Sequence, residues 1–294
     1  MGLPRQADGQ ALTIVALMLM MVLSPAKTLD FETPRRLRRA SVPRFVDDAA
    51  ALIALLRRLS APELARLMDL SDGLAELNAE RCRRWRREHT PQGGARQALL
   101  AFAGDVYEGL QASSLSTADW DWAGRHLRVL SGLYGLLAPA DLIHPHRLEM
   151  GTALPNPAGA DLYAFWGARL AAALAEDMDA HGCRVLLNLA SQEYFRAVPR
   201  SALGRPVVDV VFEERRPDGG YKIISFNAKR ARGLLARWVI ERRARRVVDL
   251  HAFDAEGYRL CTAESDDARL VFRREGPWPL ARARRGVDTE TATP

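Results

Sequence analysis

Between Ala11 and Leu23 the chain carries no charged side chain, and this run stops abruptly at Ser24-Pro25-Ala26-Lys27-Thr28. A fold must either bury such a run or send it into lipid. It is shorter than the roughly 20 apolar residues that a bilayer crossing takes. With Arg5 before it and Ser24-Pro25-Ala26 after it, it has the outline of a secretory signal. We read it otherwise. Residues 1–17 form an N-terminal extension ahead of a start at Met18, Met20 or Met21, and Met20–Leu23 is a buried first strand.

Downstream, helical and extended patterns alternate. That sets the class as α/β, with a mixed α+β arrangement as the neighbouring option. No Gly-rich linker divides the chain, so a single compact domain is expected over 18–274, followed by a disordered tail over 275–294. Helices are expected over 45–59, from the Ser60-Ala61-Pro62-Glu63 capping box, over 72–87, from Ser116 to His126, over 161–180 and over 228–245. Strands are expected at 128–130, 185–189 and 207–212, with 221–226 returning across Pro217-Asp218-Gly219-Gly220 and a last hairpin joining 258–261 to 270–273. The segment 132–159 reads as loop and short turns.

With 48% hydrophobic and 27% charged residues, wholesale disorder is excluded. The three cysteines are far apart and form no CxxC pair, which points to a reducing compartment, the cytoplasm. The formal charge is +6, which favours polyanions or small anionic molecules. Of the 42 cationic residues only Lys27, Lys222 and Lys229 are lysines. In so arginine-rich a chain, a lysine inside a motif hints at a site that needs a compact ammonium.

Three strand ends carry polar residues: Ser24 to Thr28, Asn188 to Tyr194, and Asn227 to Gly233. Ligands of α/β sheets bind beyond the carboxyl ends of strands, so adjacent parallel strands here would bring these segments together. Asn227 is a candidate N-cap, with Lys229 and Arg232 three apart on one helix face; a helix start with two cations is a seat for phosphate. Lys27 and Glu193 are the candidate catalytic residues, Lys27 as nucleophile or clamp and Glu193 paired with Tyr194 for proton transfer; an ordinary ion pair is the simpler account of Glu193. Leu130 to Leu142 has the glycines Gly132 and Gly135 of either a helix-hairpin-helix, which offers backbone N–H groups to a phosphate, or a buried turn. Arg147-Leu148-Glu149 is either a structural ion pair or a clamp. His144 and His146 lack carboxylate or cysteine partners and are expected on the surface, so no metal is expected. No nucleotide or cofactor fingerprint is present, and no cofactor is expected.

The same segments resemble the YaaA family of bacterial peroxide-stress proteins. Ser24 to Asp30, Ala95 to Ala98, Gly104 to Tyr107, Leu127 to Leu142, Arg147 to Gly151, Asp161 to Tyr163, Asn188 to Tyr194 and Ser225 to Gly233 look like that family's motifs in order, over nearly the whole domain. The resemblance implies a family-specific fold with a basic cleft and a helix-hairpin-helix-like element at Leu130 to Leu142. It implies a cytoplasmic protein of the oxidative-stress response that limits iron-driven DNA damage and binds duplex or branched DNA without sequence choice. The anion and DNA contacts expected are Lys27, Arg128, Gly132, Gly135, Arg147, Asn188, Ser191, Asn227, Lys229 and Arg232. The competing reading is an enzyme acting on a phosphorylated or nucleotide-like small molecule in a basic crevice.

Overall fold

The computed structural model describes residues 18–34 and 39–276. The expected extension over 1–17, and the tail beyond residue 276, lie outside the described residues. The described residues include twelve strands: β1 Leu19–Leu23, β2 Thr28–Leu29, β3 Arg96–Gln97, β4 Phe102–Ala103, β5 Leu127–Ser131, β6 Gly135–Leu137, β7 Leu142–Ile143, β8 Val185–Leu189, β9 Val207–Arg215, β10 Tyr221–Lys222, β11 Arg259–Leu260 and β12 Arg269–Arg274.

Eight of them form one sheet in the order β11-β12-β9-β8-β1-β5-β6, with β10 beside β9. β5, β1, β8, β9 and β12 run parallel to one another. β6, β10 and β11 are antiparallel additions. The class is mixed α/β. β1 occupies the middle, and all five of its residues are fully buried, as a continuous apolar run requires of a central parallel strand. β9 alternates buried and half-buried positions because its two faces differ.

Several helices begin where a capping side chain places them. The backbone N–H of Ser60 donates to Glu63 at 2.7 Å ahead of the helix Ala61–Met68. Ser116 and Asp119 exchange the same kind of bonds ahead of Thr117–His126. Two expectations need correction. The helix expected over 161–180 is two helices, Leu162–Trp166 and Arg169–Ala180, because Gly167 takes φ +52 between them. The strand expected over 221–226 ends at Lys222, and the helix Ser225–Arg242 starts directly after it.

That long helix crosses the helix Asp105–Leu110 at glycines. A Cβ on Gly233 would lie 1.8 Å from the Val106 carbonyl oxygen, and one on Gly109 would lie 2.3 Å from the Arg230 carbonyl oxygen. The two backbones are therefore in direct contact.

Candidate functional site

β1 and β8 are adjacent and parallel, and both end in polar loops on the same side of the sheet. Ser24 ties the loops together: its Oγ accepts the Ser191 N–H at 2.8 Å, and its carbonyl accepts the Tyr107 hydroxyl at 3.0 Å. Lys27 reaches Glu149 at 2.7 Å, and Arg147 reaches the other oxygen of the same carboxylate at 3.1 Å. The Glu193 carboxylate accepts the Gly151 N–H at 3.0 Å, which gives it a structural role. Tyr194 closes this crevice, and burial, reinforced by the charges of Glu193 and Glu149, pushes its hydroxyl far above the ordinary tyrosine range. The crevice holds about 20 Å³, space for little more than one water. It gathers Lys27, Ser131, Arg147, Glu149 and Tyr194 from distant parts of the chain, with Lys27 and Arg147 both paired to one carboxylate.

A second, larger space lies on the other side of the segment that follows β8. β8 stops at Leu189 while β9 continues to Arg215, which leaves a step beside the sheet. Here a cavity of about 800 Å³ is lined by Asn188, Gln192 and Phe195 on one side, Asp209 to Val211 on the floor, and Ile223 and Arg232 opposite. Asn188, Asp209 and Arg269 are register partners across β8, β9 and β12, so they form one polar rung. Asp209 accepts Asn188 Nδ2 at 2.9 Å and Arg200 at 2.6 Å. Arg196 lies over the Tyr163 ring at 4.4 Å. The Arg232 Nε is buried and has no hydrogen-bond partner, and burial pulls the group's proton affinity down.

Asn188 and Arg232 therefore belong to a different chamber from Lys27 and Arg147, Glu193 lines neither, and the single crevice expected from the sequence is two spaces with a shared wall. Lys229 is exposed, one helical turn before Arg232 on the same face. Asn227 is not the N-cap. Ile224 holds that position, so Asn227 sits inside the first turn, and the polar cap expected for a phosphate seat is absent there.

The segment Leu130 to Leu142 needs a larger correction. It is a β-hairpin of β5 and β6 continuing into β7, not two helices around a glycine turn. Gly132 and Gly135 are buried for packing: a Cβ on Gly132 would lie 2.3 Å from the Leu148 carbonyl oxygen, and one on Gly135 would meet Leu170 and Trp166. Arg128 is buried too, paired with Asp177 at 2.5 Å and donating to two backbone carbonyls. None of these three is open to a polyanion.

His144 and His146 are likewise buried, not on the surface. Each bonds a backbone carbonyl, and both pack with His89, Trp85 and Tyr134 in one aromatic cluster. Burial pushes the His146 ring down to about 4. Among the described residues no group of three or more His, Cys, Asp or Glu is placed to hold a metal ion, and no helix is long and apolar enough to cross a membrane.

Sequence reasoning missed Arg196, Arg200, Asp209 and Arg269. Arg269 stands next to Asp209 only because β12 returns to pair with β9, and no local pattern announces that pairing.

A mixed α/β sheet with a parallel centre and polar loops joined at the β1 and β8 carboxyl ends defines the class. Within it, the family model described as "Peroxide stress protein YaaA" matches residues 18–264, and the chain belongs to that family. Similar curated proteins carry the name UPF0246 protein. One from Paraburkholderia phytofirmans is 54% identical over 261 residues, covering 87% of this chain and 98% of its own length. Others from Burkholderia multivorans and Aromatoleum aromaticum are each 54% identical, over 258 and 257 residues, with 87% and 86% of this chain and 98% of each relative covered.

Proposed function

We propose that this protein serves the peroxide-stress response in the cytoplasm by binding duplex or branched DNA through its phosphates, without reading base sequence, and so helps limit iron-driven DNA damage. The supporting observation is a group of cations without acidic partners on one face. Lys222, Lys229, Arg196 and Arg269 have no ion pair among the described residues, whereas many other arginines are neutralised by a carboxylate. Lys222 adjoins Ile223 at the cavity, Lys229 sits a turn from Arg232, and Arg196 and Arg269 line the same cavity. Ile223 and Phe226, 56% and 43% exposed, lie between the two lysines. Apolar groups among cations suit the sugars and bases of a nucleic acid. The buried glycine hairpin has no part in this reading.

Binding of labelled duplexes of unrelated sequence, measured by fluorescence anisotropy across a salt series, tests it. Each neutralised phosphate contributes about −0.9 to the slope of log affinity against log salt, so four contacts give a slope of about −3.6. Affinity then falls on the order of 10²-fold between about 50 and about 200 mM salt. The double variant Lys222→Glu with Lys229→Glu flattens the slope by about 2. Equal affinity at both salt concentrations overturns the proposal.

A further inference from the structure

We infer that the cavity beside the end of β8 is a binding site for a nucleoside phosphate, with its phosphoryl group against Arg232 and Arg269 and its sugar hydroxyls on the Asp209 carboxylate. The inference goes beyond DNA binding and does not rest on it.

Charge comes first. Arg196, Arg200, Arg232 and Arg269 line the space and Asp209 is its acid, so cations exceed anions there by three. Arg200 takes up the Asp209 charge at 2.6 Å. The other three form no ion pair among the described residues. A guanidinium withdrawn from water without a counterion is costly, and Arg232 is such a group, with its Nε orphaned. A bound dianion supplies both the charge and the missing acceptor, and the planar fork of arginine suits phosphoryl oxygens.

Size comes second. A cavity of about 800 Å³ lies within the range of organic ligand sites, about 300–1,000 Å³, and far exceeds what an inorganic ion fills.

The floor decides the rest of the ligand. Asp209 is anchored by Asn188 Nδ2 at 2.9 Å and by Arg200, so its carboxylate is fixed in place. A carboxylate accepts and does not donate, so it repels a second phosphate and selects hydroxyl or amine donors. Val210, Val211, Ile223 and Phe195 add apolar wall, against which a base ring packs. Phosphate at one end, donors in the middle and a flat apolar body together describe a nucleotide.

Isothermal titration of the full-length protein with AMP, GMP, CMP and UMP, each beside inorganic phosphate and the parent nucleoside, tests this. At least one nucleotide binds about tenfold or more tightly than inorganic phosphate and than its own nucleoside. Arg232→Met and, independently, the cavity-edge variant Arg269→Gln each weaken that nucleotide about tenfold, while Asp209→Asn weakens the nucleotide and leaves inorganic phosphate unchanged. Lys229→Glu lowers DNA affinity and leaves the nucleotide constant within about twofold, which separates this site from the lysines of the DNA face. Far-ultraviolet circular dichroism confirms that each variant is folded. The inference is overturned if no nucleotide outcompetes inorganic phosphate, or if folded Arg232→Met and Arg269→Gln both bind nucleotide as the parent does.

Discussion

Gly233→Ala adds one methyl group where the helix Ser225–Arg242 touches the helix Asp105–Leu110. The new Cβ would lie 1.8 Å from the Val106 oxygen, 2.8 Å from its carbon and 2.9 Å from the Leu110 nitrogen, all backbone atoms. No rotamer relieves this, because nothing in the collision is a flexible side-chain end. Ordinary contact begins near 3.4 Å, so the helices must part by more than an ångström. Gly109 closes the same crossing against Arg230 and Leu234, so the shift also disturbs the second contact. Overpacking of this kind costs about 1–3 kcal/mol, and with rigid backbone on both sides the upper end applies, about 3 kcal/mol. Gly124→Ala is the control. It lies in the helix Thr117–His126, a Cβ there meets nothing within 4 Å, and removing helical glycine stabilises by about 0.5–1 kcal/mol. Urea unfolding of the two variants beside the parent measures both. Because Arg232 rides on the displaced helix, Gly233→Ala also weakens anion binding, while Gly124→Ala does not. A Gly233→Ala protein within about 0.5 kcal/mol of the parent refutes the backbone-contact account.

The remaining predictions concern buried charge and pH. Glu214 and Arg274 form a buried pair at 2.6 Å, and Tyr258 donates to the same carboxylate at 2.9 Å. Glu214→Ala leaves Arg274 with Glu256 at 4.0 Å as its nearest acid, and costs about 3–5 kcal/mol in urea unfolding. Glu80→Ala, at a solvent-exposed pair, shifts the unfolding midpoint far less than Glu214→Ala by the same assay. His146 is neutral in the fold and protonates far more readily once unfolded. Its contribution is therefore complete above about pH 6.5 and is lost as pH falls toward about 4. Asp141, which burial pushes up to about 6, acts in the opposite sense, because the folded form takes up its proton first. His146→Phe thus spares the protein a loss on the order of 2 kcal/mol between about pH 6.5 and about pH 5, measured as the difference in unfolding free energy at the two values. Identical pH dependence in parent and variant contradicts the assignment.

Local signals were legible where one cause dominated. Met20–Leu23, the end of the uncharged run, was expected as a buried strand, and β1 lies buried at the sheet centre. The capping residues Ser60 and Ser116 mark helix starts because they satisfy N–H groups within three residues. Legibility failed where two structures share one pattern. The apolar spacing from Leu162 to Met178 is helical on both sides of Gly167, so the break was hidden. The spacing of Gly132 and Gly135 suits a hairpin between helices as well as one between strands, and the antiparallel pairing of β5 with β6 separates the two. Ile223 and Ile224 look like the end of a strand, yet Ile223 is 56% exposed and Ile224 precedes a helix. The arginine cavity was illegible for another reason. Its parts come from four separated segments, and their meeting depends on strand order, which is a property of the whole chain.

The segment Asn188 to Phe195 is the partition between two chambers. Tyr194 faces the small one, while Asn188, Gln192 and Phe195 face the large one. Ser24 bolts this partition to the end of β1 through the Ser191 N–H. The same residue also holds the Tyr107 hydroxyl on its carbonyl, so one serine fixes the ends of β1 and β8 and the helix Asp105–Leu110 to a common point. Removing its hydroxyl leaves the Ser191 N–H without that acceptor and the wall between the two spaces without its tie to β1.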